Sequence, residues 1–155
     1  MIESDPEPTD RIVTWDDVHR DTRALVDRLL PHERWTGIVA IARGGLVPAA
    51  ILAREMNVRT LDTLCIATYD DRTMGTVNIL KTPEAAVAAG GKGWLVIDDL
   101  VDTGATLRAA RAILPHAHFA TVYGKPDGIA LVDTFVHSVA QEAWVTFPWD
   151  VPPRV

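Results

Sequence analysis

The chain has 155 residues, 48% hydrophobic and 23% charged, enough for one domain with a real core. A formal net charge of −6 and a pI near 5.2 exclude a general nucleic-acid binder, which needs a basic stripe, but leave room for a local basic pocket. The single cysteine, Cys65, excludes an internal disulfide; it points to a reducing compartment and reads as a small buried hydrophobe.

Residues 1–10 are acidic and proline-bearing, unlike a signal or transit peptide, and read as a flexible tail before a single domain at 11–155. No apolar stretch reaches the roughly 18–20 residues that span a bilayer, so a soluble, cytoplasmic protein is expected. Thr14 and Asp17 form a capping pair for a helix whose apolar face is Val18, Thr22, Leu25, Val26 and Leu29, closed by Pro31. G-I-V-A-I-A at 37–42 reads as a strand buried on both faces, followed by Arg43-Gly44-Gly45 and a helix over 46–56. Residues 60–68 are β-type, and the polar stretch 69–78 reads as a mobile loop with short hairpin arms.

A helix over 83–89, a glycine break, a strand at 94–97, a helix at 104–114 and a strand at 119–123 follow. This alternation predicts an α/β fold with a mainly parallel central sheet flanked by helices. After Lys125-Pro126 the alternation stops, and the β-like runs 134–139 and 144–147 read as a small C-terminal hood on a core of about 11–125. Trp15, Trp35 and Trp94 read as packing residues, and Trp149 as an anchor for the C-terminal fold-back.

W-L-V-I-D-D-L-V-D-T-G-A-T at 94–106 carries the most chemistry. Neighbouring side chains on a strand diverge, so Asp98 and Asp99 face one ligand only if the strand ends before them. Asp102 follows, and Thr103, Gly104, Ala105 and Thr106 open a helix whose free amides suit a phosphate, with carboxylates beside them for hydroxyls or a metal. A solvated, helix-capping turn is the plain alternative, and D-T-G-A-T argues against it.

Arg43-Gly44-Gly45 ends another strand at the same sheet edge, a second anion site when paired with the first. Lys125 is either surface charge or a donor to a ring carbonyl. Trp144 stands where it can stack on a flat heterocycle. The five histidines show no metal-binding spacing, and His116 and His118 sit near a helix end where its dipole explains them. G-x-S-x-G, Walker A and G-x-G-x-x-G patterns are absent from the sequence.

V-I-D-D-L-V-D-T-G-A-T resembles the signature of type I phosphoribosyltransferases, which bind 5-phosphoribosyl-1-pyrophosphate (PRPP). I-V-T-W-D, A-R-G-G-L-V-P-A-A-I-L-A-R-E, T-Y-D at 68–70, G-K-P and W-V-T-F-P-W-D look like the bacterial xanthine-guanine branch of that family, in order over residues 12–153. The resemblance implies the type I phosphoribosyltransferase fold and purine salvage: transfer of phosphoribosyl from PRPP to N9 of guanine, xanthine or hypoxanthine with Mg²⁺.

It assigns PRPP to Arg43, Gly44, Asp98, Asp99, Leu100, Val101, Asp102, Thr103, Gly104, Ala105 and Thr106. Within that set, Asp99 helps hold Mg²⁺, and Arg43 and Gly44 form a pyrophosphate loop preceded by a strained or cis peptide. Asp102 is the proton acceptor near purine N7, Lys125 reads the 6-oxo group, Trp144 stacks on the base and the Val145 backbone meets the 2-substituent. The resemblance implies a homotetramer. Some relatives attach peripherally to the inner membrane, for which nothing amphipathic in this chain argues.

Two positions depart from the family pattern. Ala105 replaces a frequent glycine and requires a negative φ there. Gly75 replaces a loop arginine, for which Arg72 or Lys81 is the candidate substitute. The rival readings are a PRPP-sensing regulator on the same fold that binds RNA or DNA, and a transferase preferring another nucleobase.

Overall fold

The computed structural model describes residues 10–69, 76–152 and 154. Strand β1 (Arg11–Ile12) leads into helix α1 (Trp15–Arg28). Thr14 caps α1 as its spacing predicts: its hydroxyl accepts from the Asp17 N–H at 3.1 Å, and the Asp17 carboxylate accepts from the Thr14 N–H at 2.9 Å. Strand β2 (Gly37–Ala42) and helix α2 (Leu46–Glu55) follow, then the antiparallel pair β3 (Leu61–Tyr69) and β4 (Thr76–Lys81). Helix α3 (Glu84–Ala88), strand β5 (Trp94–Val101), helix α4 (Ala105–Ile113) and strand β6 (His118–Gly124) continue the alternation, and β7 (Thr134–Ser138) and β8 (Val145–Thr146) end it.

Six strands form one sheet in the order β4-β3-β2-β5-β6-β7, parallel except for β3 with β4. The period of two along the central strands divides the core. Ile38, Ala40, Leu95 and Ile97 pack with Leu25 of α1, Leu29 just after it and Leu52 of α2. Val39, Ile41, Trp94 and Val96 face the other way, onto Ala86 of α3, Leu107 and Ala110 of α4, and Leu114 just after it. Each fully buried leucine or isoleucine contributes roughly 1.5–3 kcal/mol of transfer free energy. A third cluster, Val13, Val18, Val122, Tyr123, Val145 and Phe147, seats the small parallel pair β1–β8 on the end of the sheet. Trp149 stacks on Phe147 at 4.9 Å and meets Trp15 at 5.9 Å, which anchors the fold-back.

Four expectations are corrected. Residues 134–138, assigned to the hood, add a sixth strand to the main sheet, and the hood is instead built on β8 with β1 from the other end of the chain. The stretch 69–78 contributes the start of β4, so the hairpin arms are full strands; residues 70–75 lie outside the described residues. Cys65 is only half-buried rather than a buried small hydrophobe. His118 lies on β6, not at a helix end, held between Arg34 and Thr134; burial pushes its imidazole below the usual range. Among the described residues no helix is long and apolar enough to cross a membrane.

Candidate active site

The sheet order changes direction between β2 and β5: β3 and β4 lie on one side, β6 and β7 on the other. In open α/β sheets such a switch point opens a crevice at the carboxyl ends of the strands. Register shows where it begins. Pairing of β2 with β5 stops at Ala40↔Ile97, whereas pairing of β5 with β6 continues to Val101↔Gly124. The strand therefore does not end at Ile97 as the sequence reading required. It runs through Asp98 and Asp99 with one edge free.

A cleft of about 570 Å³ follows that free edge, lined by Thr68, Asp98, Leu100, Val101, Asp102, Thr103, Gly104, Ala105, Thr106, Leu107 and Trp144. A second hollow of about 470 Å³ lies apart from these acids, over β4 and the start of α3.

Gly104 begins α4 in the left-handed region, φ 92°, and a methyl there would collide with Leu131 Cδ1. The first backbone bond back into the turn comes from the Arg108 N–H to the Gly104 carbonyl at 2.9 Å, so the preceding N–H groups stay available to an anion. Ala105 fits. Among the described residues the one non-glycine with positive φ is Asn57, so Ala105 carries its methyl in an ordinary helical conformation.

Asp98 Oδ1 accepts from the Asp99 N–H at 2.8 Å, and Asp99 Oδ1 from the Leu100 N–H at 2.7 Å. Burial and then the Asp99 charge push the Asp98 carboxyl well above the usual carboxylate range; burial also raises Asp99. Neither makes an ion pair with a described residue. Among the described residues no three His, Cys, Asp or Glu side chains cluster as a metal cage. Two adjacent, charge-uncompensated carboxylates suit a hard divalent cation that takes its other ligands from substrate oxygens and water.

Gly44 makes room for this pair: a methyl on it would lie 2.6 Å from Asp99 Oδ2. The peptide Ala42–Arg43 is cis, as the resemblance implied, and Arg43 makes no ion pair among the described residues. Lys81, a candidate for the missing loop arginine, is committed elsewhere: it pairs with Asp62 and donates to the Thr63 carbonyl at 2.9 Å. Asp70, Arg72 and Gly75 lie outside the described residues.

Lys125 follows β6 and is 5% exposed, so it is not the surface charge that one reading allowed. Its N–H bonds the Val101 carbonyl at 2.9 Å, and its Nζ reaches Asp102 Oδ2 at 3.3 Å. Trp144 is 68% exposed at the cleft wall. The hood strand beside it is held by backbone bonds of 2.9 Å from Arg11 to Trp144 and from Val13 to Thr146. The Val145 side chain is buried in the hood cluster, so only its backbone is available to a ligand.

The sequence profile of the phosphoribosyl transferase domain matches residues 9–154. The chain belongs to the phosphoribosyltransferase family. The xanthine-guanine phosphoribosyltransferase of Chromohalobacter salexigens is 52% identical over 139 residues, 90% of this chain and 83% of that protein. Its counterpart in Desulfotalea psychrophila is 52% identical over 89% of this chain and 84% of its own length. The crystal structure of a purine phosphoribosyltransferase from Pyrococcus horikoshii superposes with a TM-score of 0.75 at 26% identity, covering 93% of this chain and 96% of that one. Helicobacter pylori xanthine-guanine-hypoxanthine phosphoribosyltransferase shares the fold, with a TM-score of 0.71 at 20% identity over 91% of this chain and 95% of that one. The resemblance carried by V-I-D-D-L-V-D-T-G-A-T and by the flanking purine-type segments is borne out.

Two polar residues escaped the sequence reading, one at the cleft and one buried away from it. Gln141 donates from Nε2 to Asp102 Oδ1 at 2.8 Å, and no local motif marks it. Asp21, on α1 but outside the apolar face expected there, is 1% exposed; it accepts from the Tyr123 hydroxyl, from His137 at 3.0 Å and from Arg20 at 3.1 Å. Burial works against its charge, but those three donors hold its carboxyl below the usual range. Arg11 of β1 lies 4.8 Å over the Tyr123 ring, so the cluster joins α1, β6, β7 and the hood.

Proposed function

We infer that this chain transfers the 5-phosphoribosyl group of PRPP to N9 of a 6-oxopurine, guanine, xanthine or hypoxanthine, and releases pyrophosphate. The observation that carries the reading is one cleft shared by the α4 amino end, the unpaired carboxylate of Asp98, and Asp102, with Trp144 on its wall. An anion nest, a ribose-facing acid and a flat-ring platform are the three parts such a bisubstrate reaction needs.

The C1′–O bond to pyrophosphate breaks and the C1′–N9 bond forms, while the purine proton passes to a base. The amides from Asp102 to Thr106 hold the 5′-phosphate, with Leu100 and Val101 flanking the ribose. Arg43 and Gly44 face the pyrophosphate, and the Arg43 guanidinium stabilises charge developing on it. Asp99 would hold Mg²⁺, which when bound would neutralise charge on the departing pyrophosphate. Asp98 faces the ribose hydroxyls as their hydrogen-bonding partner. Asp102 accepts the purine proton at N7. Lys125 donates to the 6-oxo group, Trp144 stacks on the ring, and the Val145 backbone meets the 2-substituent. The net charge of −6 supports small-molecule substrates over a nucleic acid.

A single PRPP-dependent competition among guanine, xanthine, hypoxanthine and uracil tests the reading. Nucleoside 5′-monophosphates of the three purines are expected, and none from uracil. Turnover of uracil alone, or PRPP binding with no turnover of any base, overturns it.

A further inference from the structure

Asp102 is held from two sides by donors of different character. Oδ2 faces the ammonium of Lys125 at 3.3 Å, and Oδ1 accepts from Gln141 Nε2 at 2.8 Å. The amide orientation of Gln141 is not arbitrary, because its Oε1 accepts from the Asp127 N–H at 2.9 Å; the nitrogen end must therefore face the carboxylate. Gln141 thus bridges the segment between β7 and β8 to both the loop after β6 and the loop after β5. The loops it joins are already in close contact, since a methyl on Gly128 would lie 2.6 Å from the Asp102 carbonyl oxygen.

The two donors stand differently toward a purine. In the reading proposed above, Lys125 turns to the 6-oxo group when the base binds, which releases Oδ2. Gln141 is tied to a backbone N–H, and among the described residues its Nε2 bonds Asp102 alone. A carboxylate anchored at one oxygen and released at the other presents a single lone-pair direction to the incoming N–H, whereas an unanchored one samples several rotamers.

We propose that Gln141 is a positioning residue for Asp102: it fixes Oδ1 permanently and thereby dedicates Oδ2 to proton transfer once Lys125 engages the base. This inference rests on the assignment of Asp102 as the proton acceptor. Among the described residues Lys125 is the one oppositely charged side chain in ion-pair reach of Asp102. Asp98 and Asp99 lie upstream on β5, and Asp127 meets the cluster through its backbone.

Two substitutions separate positioning from mere structure. Gln141→Leu removes both bonds. Gln141→Glu keeps an acceptor for the Asp127 N–H but sets a second carboxylate against Asp102. A structural strut predicts that Glu is the milder change; a positioning donor predicts that Glu is the more damaging one, because like charge disfavours the ionised form of Asp102.

The expected results are a kcat lowered about tenfold in Gln141→Leu and lowered further in Gln141→Glu. KM for PRPP should stay near the unmodified value in both. The acid limb of the kcat–pH profile should move to higher pH in both, further for Glu. Carbon-13 NMR titration of the Asp102 carboxyl in the substrate-free protein should move in the same order. A reversed order, or an unmoved acid limb and unmoved titration, overturns the proposal. Failure of the broader reading looks different: the unmodified chain then turns over no 6-oxopurine, while the NMR titrations still report whether Gln141 acts on Asp102.

Discussion

Gly44 and Asp99 meet across the gap between the ends of β2 and β5, so closely that a methyl on Gly44 would lie 2.6–2.7 Å from both carboxylate oxygens. The atom in the way is the end of a side chain, which can swing aside. Gly44→Ala should therefore cost little stability yet displace Asp99 from its place. KM for PRPP at saturating Mg²⁺ should rise on the order of tenfold, about 1.4 kcal/mol, with a thermal midpoint within a few degrees of the unmodified chain. An unchanged KM would separate Gly44 from the cation-holding acid.

Trp144 is 68% exposed, so its ring contributes little to folding. Trp144→Ala should change stability by no more than about 0.5 kcal/mol. A ring stacked on a bound base contributes about 0.5–1.5 kcal/mol beyond its buried area, so KM for the purine should rise up to about tenfold while KM for PRPP stays level. Equal rises in both would show the hood collapsing, and loss of the stacking role would follow.

What the sequence made legible follows from how local each signal is. G-I-V-A-I-A has apolar side chains at both parities, a pattern that only a strand covered on two faces satisfies, and β2 lies between two parallel neighbours. Thr14 and Asp17 solve a capping problem within three residues. β5 runs past the end expected at Ile97 because its two neighbours stop at different residues, which the apolar run of one strand cannot encode. The strand keeps β6 and loses β2, which leaves an open edge without a loop. T-F-V-H-S was misplaced because no α-helix precedes it: a short 3₁₀ turn, Ile129–Leu131, replaces the crossover helix that usually announces a parallel strand. Gln141 and Asp21 bond partners 39 and 102 residues away, and no spacing within the chain encodes such distances.

Asp21 should prove a stability residue with a definite pH signature. Its removal in Asp21→Ala leaves the buried Tyr123 hydroxyl without an acceptor, at a cost of about 1–3 kcal/mol, and deprives His137 of its partner. The native carboxyl lies below its ordinary value. The charged form therefore stabilises the fold above the unfolded-state value near ~3.9, and that stabilisation is lost as pH falls through the native value. Urea midpoints should show a wide gap between the two proteins at pH ~7 that narrows on acidification below about 4. A gap independent of pH would mean that packing, not charge, is what Asp21 contributes.

Asp98 should show the opposite sign. Burial and the Asp99 charge raise its carboxyl well above the ordinary value, so above pH ~4 the native protein holds a proton that the unfolded chain has released. Where the native state binds more protons, stability falls as pH rises, and Asp98 therefore weakens the ligand-free fold at neutral pH. Asn at this position keeps an Oδ1 acceptor for the Asp99 N–H, a bond of 2.8 Å, and carries no charge. Asp98→Asn should thus raise the urea midpoint at pH ~7 in the presence of a chelator, leave it unchanged near pH ~4, and lose turnover. Adding Mg²⁺ with PRPP should reverse the order at neutral pH, because a bound cation compensates the carboxylates only in the unmodified protein. A lower midpoint for Asp98→Asn under chelation would show that the pair is compensated within the chain. Catalytic acids placed at a free strand edge would then carry no cost in stability, contrary to the usual exchange between a charged site and a stable fold.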